Sequence, residues 1–350
     1  MKKKKYYNIK PLLKTGAHYM ILYGMRANGK SYQVKETMLT DAYKNDAKFV
    51  YLRRWKEDIK GYAVEEYFSD MPIDKYTDGE YDHISTWQGF IYFASMGEDN
   101  KVKRGKCIGR YCALNEAQRY KSQAFVGYKY IDFEEFITDE AYLTEEPRKL
   151  QQFISTVARL DKLHVFLVGN TISRVCPYFM EWDLKGTLTQ KAGTIEMYHV
   201  HYEKNTVDIA VEHCANEDMG GQMFFGTAAK QIVSGEWDVI DAPRLSGHIS
   251  DYDLIYELQI AYQAFVFNLK LLVSGDGNVF LFVYPAKRLN PKKRVITDKY
   301  SNKQNISAKL RANSRAEMMV AMCFAQNKIC YSDNLTASDF KQVCAQLNFK

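Results

Sequence analysis

Between the apolar run Tyr19–Tyr23 (YMILY) and a helical pattern extending from Ser31 to about Asn45 lies Gly24-Met25-Arg26-Ala27-Asn28-Gly29-Lys30-Ser31. The segment satisfies G-x-x-x-x-G-K-[ST] in the strand–loop–helix setting that gives this pattern its meaning. Glycines at this spacing let the backbone fold into a nest whose N–H groups point at phosphates, and the helix that follows adds its positive dipole end. In such a loop Lys30 reaches the β- and γ-phosphates of a nucleotide and Ser31 ligates Mg²⁺.

The alternation of apolar runs and helical patterns continues to about residue 200. KFVYLRR, YKYIDFEEF and HVFLVGN read as strands, and RKLQQFISTVARL as a helix between the last two. That order predicts a mostly parallel sheet with crossover helices. From Asp183 to Gly247 short elements with many glycines (Gly186, Gly193, Gly220, Gly221, Gly226, Gly235) suggest a linker or lid. Beyond it, YQAFVFNLKLLVSGDGNVFLFVYP reads as a hairpin turning at Gly275–Asn278. SRAEMMVAMCFAQNK and TASDFKQVCAQLNF close the chain as helices. The expected division is a nucleotide-binding domain over 1–200, a linker module over 201–246 and a small domain over 247–350, which suits a chain of 350 residues.

Hydrolysis of a bound nucleotide needs a carboxylate near the metal and a base that orients water, usually at the end of a neighbouring strand. YKYIDFEEF alone ends an apolar run with adjacent acids. Glu134 is the candidate for the metal and Glu135 for the water, since neighbouring residues at a strand end point to different sides. Acids that cap the next helix are the plainer reading. Asn170, closing HVFLVGN, is placed to sense the γ-phosphate or the attacking water. Arg159, late in the preceding helix, is either a surface ion-pair partner or a cation delivered to a neighbouring subunit's site.

Composition narrows the classes. Hydrophobic residues at 46% and charged residues at 26% are ordinary for a globular chain, and the apolar runs fall far short of the ~18 residues of a spanning helix. The basic start MKKKKYYNIKPLLK lacks the apolar core of a signal peptide, so a cytosolic protein is expected. Seven scattered cysteines without a C-x-x-C pair argue against zinc and a disulfide framework, and read as reduced, mostly buried thiols. The net charge of +6 is uneven: residues 287–315 carry ten Lys and Arg against Asp298 alone. A polyanion is the natural partner of such a stretch, and a solvated basic loop the alternative.

GMRANGKSY, VYLRRWK, DFEEFI and NTISRVCPYF, in that order and at these separations, resemble the DNA-packaging ATPases of small protein-primed tailed phages, the phi29-like group. FFGTAAKQIVSGEW resembles that family's linker, and the hairpin with its closing helices resembles its carboxy-terminal domain. The resemblance implies an α/β P-loop NTPase of the additional-strand, catalytic-glutamate class. It adds a linker module and an α+β RNase H-like domain lacking nuclease acids. It implies a homo-oligomeric ring, a pentamer by the same resemblance, at the portal vertex of a viral procapsid in the host cytoplasm. That ring would drive double-stranded DNA inward with ATP and Mg²⁺ and without a membrane.

By the same resemblance Gly24, Arg26, Gly29, Lys30 and Ser31, with Tyr32 beside them, hold the nucleotide. Ser31 and Glu134 serve the metal, Glu135 the hydrolytic water and Asn170 the coupling. Arg159 becomes a trans-acting finger, Lys121 a second basic residue acting across the subunit boundary, and Lys56 a contact to DNA. Lys292, Lys293 and Arg294 of the basic segment are the further DNA candidates. Two departures stand out. The family's metal-side residue is normally Asp, whereas Glu134 stands here with Asp132 two residues earlier on the same strand face. Around Arg159 the match needs a one-residue gap, which leaves Lys162 and Arg148 as alternatives. Three rival readings remain: an ATPase joined to an active nuclease, a non-hydrolysing structural component of the portal, and a cellular helicase or partition ATPase. The first is disfavoured by hairpin strands without acids, since such nucleases cluster carboxylates around two metals about 4 Å apart.

Overall fold

β1 (Tyr19–Gly24) is apolar almost throughout because both of its faces are covered, as in parallel sheets flanked by helices. Met20 and Leu22 point into a cluster with Val34, Met38 and Leu39 of α1 (Lys30–Asn45). Ile21 and Tyr23 point the other way, into a cluster with Leu150, Phe153 and Val157 of α2 (Glu146–Ala158). The computed structural model describes residues 7–348 apart from 99–100, 160–161, 204, 216–236, 238, 300, 302, 304 and 308–311.

The first sheet contains β1, β2 (Lys48–Arg53), β3 (His83–Trp87), β4 (Phe90–Met96), β5 (Val102–Ala113), β6 (Tyr128–Glu134), β7 (His164–Val168), β8 (Thr194–Tyr202) and β9 (Asn205–Cys214). Its order is β3-β4-β5-β2-β6-β7-β1-β9-β8. The six strands from β5 to β9 in that order are parallel, and antiparallel ribbons extend both edges. β6 and β7 therefore stand between β1 and β2, although β2 follows β1 in the chain. The C-terminal ends of β1, β2, β6 and β7 lie side by side, and crevices at such ends are where open α/β sheets bind ligands.

The parallel centre agrees with the sequence expectation; the two edges differ from it. β9 lies where a linker module was expected from residue 201, yet it pairs along the whole of β1, from Tyr19 with Ile209 to Gly24 with Cys214. The first sheet thus reaches residue 214, beyond the expected boundary at 200. Of the rest of the expected linker, 216–236 and 238, which include most of FFGTAAKQIVSGEW, lie outside the described residues.

A second sheet comprises β10 (Asp253–Tyr262), β11 (Phe265–Val273), β12 (Val279–Pro285), β13 (Arg294–Thr297), β14 (Ile306–Ser307) and β15 (Ile329–Tyr331), in the order β14-β13-β10-β11-β12-β15. β10, β11 and β12 form an antiparallel meander, with β13 parallel to β10 and β14 parallel to β13. The β11–β12 turn falls at Ser274–Asn278, with Gly277 at φ 84°. Helices α3 (Arg315–Ala325) and α4 (Asn334–Gln346) cover the sheet through Val320, Cys323, Phe340 and Val343. Among the described residues no helix is long and apolar enough to cross a membrane.

The two sheets meet at α4. Gln342 and Gln346 donate to the carbonyls of Asp139 and Glu140, Val175 joins the second core, and Arg174 lies 3.9 Å from Asp339. Burial pushes the Asp339 carboxyl up to about 6, Arg174 opposing and Asp333 adding to the rise. A carboxyl that holds its proton more tightly folded than unfolded makes stability fall as pH climbs from about 4 through about 6. Asp339→Asn is expected to raise the melting temperature at pH 8 and to leave it near wild type at pH 4. Equal shifts at both values, read by scanning calorimetry, would contradict this account of the junction.

Candidate active site

Gly24 ends β1 against the backbone of β9, where a Cβ would lie 2.3 Å from the carbonyl oxygen of Cys214. No larger residue fits, so the glycine is needed for sheet packing as well as for the loop. Ala27 (φ 56°) and Gly29 (φ 97°) take left-handed conformations that turn the chain into α1. The Asn28 carbonyl accepts from Tyr7 N, which ties the amino-terminal segment to the loop.

Lys30 is 4% exposed. Its Nζ donates to Met25 O at 2.6 Å and to Asn28 Oδ1 and Asn170 Oδ1 at 3.3 Å each. Thus Asn170, 140 residues away in sequence, meets the loop lysine directly. Burial lowers the pKa of Lys30, with Cys214 and Glu134 opposing and Arg26 adding. The loop, Ser31, Tyr32, Gln33, Lys35, Glu36, Glu134, Glu135 and Asn170 line one cavity of about 810 Å³. That volume lies within the range of small-molecule sites. Arg26 is exposed at its mouth, and the Tyr32 hydroxyl lies 3.2 Å from that of Tyr76.

The acids of β6 are arranged around a residue that sequence reasoning missed. Tyr67, ending the helix Gly61–Tyr67, sets its hydroxyl 2.8 Å from Glu134 Oε1 and 2.9 Å from Asp132 Oδ2. One phenolic proton cannot serve both acceptors. Asp132 is fully buried, its Oδ1 has no hydrogen-bond partner among the described residues, and burial followed by the charge of Glu134 pushes its pKa well up. Burial also raises Glu134, while hydrogen bonds from Tyr67 and Ser31 oppose the rise. Glu134 borders the cavity and Asp132 lies behind it. Tyr67 is itself held by stacking on Tyr51 at 4.4 Å and by Lys35, whose ammonium lies over its ring, donates to its carbonyl and pairs with Asp70.

Among the described residues no group of three or more His, Cys, Asp and Glu could hold a metal by itself. The donors present, the Ser31 hydroxyl and Glu134 beside a phosphate-binding loop, suit Mg²⁺, which typically takes one or two carboxylates together with substrate phosphates.

Glu135 leaves the strand with φ 57°, a left-handed conformation that costs a non-glycine residue about 1–3 kcal/mol. Its carboxylate accepts from Arg53 at 2.7 Å. Arg54 turns inward, donating to the carbonyls of Glu135 and Phe136 and to Glu146. The pair Arg53-Arg54 was legible in VYLRRWK only as the end of an apolar run; that parallel strands share one crevice at their C-terminal ends was the available signal.

The remaining candidates lie elsewhere. Arg159 (φ 47°) follows α2 and donates to Gln123 O, two residues beyond the exposed Lys121. Arg148 pairs with Glu145 at 3.6 Å, and Lys162 is exposed. Lys56 pairs with Glu116, which Arg119 also contacts. In the basic segment Lys292 is exposed beside Lys287 and Arg288, whereas Lys293 reaches Glu257 at 2.7 Å and Arg294 lies 4.0 Å from Glu317.

The family model of the podovirus DNA encapsidation protein (Gp16) matches residues 1–227. The chain belongs to this family. The match takes in β1 to β9, and with them every residue of the cavity. Among solved structures, the chain is similar to the phi28 gp11 DNA packaging motor at 17% identity, covering 99% of both chains with a TM-score of 0.52. It is similar to the bacteriophage phi29 viral genome packaging motor assembly at 18% identity, covering 98% of this chain and 99% of that one with a TM-score of 0.58. At such identities these likenesses show the fold. No curated protein matches the chain.

Replacing Tyr67 by Phe removes the hydroxyl shared by Asp132 and Glu134. Leaving buried polar groups unsatisfied costs about 1–3 kcal/mol. The variant is expected to lose more stability at pH 8 without Mg²⁺ than at pH 5, where a protonated carboxyl can donate to its neighbour. Melting curves that match wild type at both pH values would show that the hydroxyl does not join the two acids.

Proposed function

We propose that this chain is the ATP-hydrolysing subunit of a homo-oligomeric ring that drives double-stranded DNA into a viral procapsid. The observation that carries the proposal is the meeting of Lys30, Asn170, Glu134 and Glu135 in one cavity, in a chain of the DNA encapsidation family. Lys30, with the loop N–H groups, would bind the β- and γ-phosphates, and Arg26 at the mouth would meet the outermost charge. Mg²⁺, held by Ser31 and Glu134, would supply positive charge to the phosphate oxygens. Glu135 would take a proton from water as the water oxygen bonds to the γ-phosphorus and the bond to the β–γ bridging oxygen breaks. Arg53 holds the Glu135 carboxylate at 2.7 Å and would release it to the water when the nucleotide binds.

The strand order supports the additional-strand class, because β7 stands between the loop strand β1 and the acid-bearing β6. Arg159 follows α2 and precedes β7, at the end of the sheet away from the loop. At about 3.3 Å per residue the strands put roughly 15–20 Å between them. An arginine so placed is out of reach of its own cavity, which supports action on a neighbour, with Lys121 on the same face.

The meander β10–β12 followed by parallel β13 and β14 supports an RNase H-like reading of the second sheet. The carboxylate of Glu257 in β10 is taken up by Lys293 and by Lys270 at 3.4 Å, which favours DNA or portal binding over nuclease chemistry. Exposed Lys287, Arg288 and Lys292 would meet phosphates, contacts that suit a motor accepting every sequence. Such a motor would work in the host cytoplasm at the portal vertex, with a pentamer as the ring expected from the family resemblance.

Mixing tests the interface. Lys30→Ala and Arg159→Ala chains are each expected to be inactive alone, and an equimolar mixture is expected to recover part of the ATPase activity. If Arg159→Ala turns over at the wild-type rate, the finger assignment fails.

A further inference from the structure

We propose that Arg54 is a positioning residue for Glu135, holding the backbone of the hydrolytic glutamate in its left-handed turn. The proposal rests on the reading of Glu135 as the base. Arg53 and Arg54 are neighbours at the end of β2, and neighbouring strand residues point to opposite sides. Arg53 accordingly takes the side chain of Glu135, and Arg54 takes its backbone from behind. Nη1 of Arg54 donates to Glu135 O at 3.1 Å and Nη2 to Phe136 O at 2.8 Å.

The guanidinium is fixed in turn. Its Nε donates to Glu146 Oε2 at 2.8 Å, and that oxygen also accepts from Leu143 N. The other oxygen of Glu146 accepts from Tyr178 OH at 2.8 Å. Arg54 is 5% exposed and Glu146 1%, and the guanidinium lies over the ring of Tyr142 at 4.9 Å. A buried ion pair of this kind is weak evidence of stabilisation, because removing both charges is often neutral. Its value here is geometric: a rigid planar fork spans two carbonyls and a carboxylate at once, which a lysine ammonium cannot do. Phe136 completes the anchor, donating its N–H to Val168 O and packing its ring on Tyr178 and Phe179.

The test uses the full chain with double-stranded DNA and measures kcat, KM for ATP and affinity for a fluorescent non-hydrolysable ATP analogue. Arg54→Lys is expected to lower kcat about 10- to 100-fold while KM and analogue affinity stay within about threefold, the pattern of an interaction that matters only in the transition state. The double variant Arg54→Met/Glu146→Gln removes both buried charges, which guards against an unpaired charge unfolding the chain, and is expected to show the same split. A folded double variant with wild-type kcat overturns the proposal, as does a loss confined to KM and analogue affinity. Glu135→Gln separates the two claims. Its turnover at the wild-type rate would overturn the reading of Glu135 itself, whereas an inactive Glu135→Gln beside fully active Arg54 variants would overturn the positioning role alone.

Discussion

The Lys30 ammonium is buried among neutral oxygens, Met25 O, Asn28 Oδ1 and Asn170 Oδ1, and among the described residues no carboxylate pairs with it. Taking an ammonium out of water costs several kcal/mol unless its surroundings replace the lost hydration. Those oxygens come from the loop itself and from the end of β7, so the charge is tolerable only while β1 and β7 stay in register. The close approach of β9 to Gly24 closes the other side. The central sheet thus holds a desolvated cation ready for phosphate oxygens that would restore its counter-charge.

Around that cation, charge alternates across the C-terminal ends of adjacent strands. β6 contributes Asp132 and Glu134, with Glu135 just after it, and β2 contributes Arg53, with Arg54 just after it. Each charge is answered differently. Burial pushes the Asp132 pKa well up, Glu134 shares the Tyr67 hydroxyl, the exposed Glu135 is matched by Arg53, and the buried Arg54 is matched by Glu146. The two acids that face the cavity stay distinct because one remains in the strand and the other leaves it at a positive φ. Two adjacent carboxylates can then take separate tasks, one toward a metal and one toward water.

The parallel centre of the sheet and the loop were legible in the sequence because fully buried strands leave continuous apolar runs and the loop motif prescribes its own geometry. The hairpin β11–β12 and the two closing helices were legible for similar reasons. The edges were not. β5 (VKRGKCIGRYCA) and β8 (TIEMYHVHY) are exposed over much of their length and carry charges or polar residues, so their pairing is written in partners far along the chain. Within the site the residue types at Lys30, Ser31, Glu134, Glu135 and Asn170 could be read locally. Tyr67, Arg53, Arg54 and Glu146 could not, since their meaning depends on which strand ends meet. The basic segment shows the same limit: Lys293 and Arg294 look like Lys292 in sequence, yet acids from β10 and α3 lie beside their charges.

The central claim is that the cavity hydrolyses ATP and that the work is coupled to DNA. The most direct measurement is the ATP hydrolysis rate of the wild-type chain as protein concentration rises, with and without double-stranded DNA. The account predicts a rate per chain that climbs steeply with concentration as subunits complete one another's sites, and that double-stranded DNA increases further. A constant rate per chain at high dilution, indifferent to DNA, would contradict it.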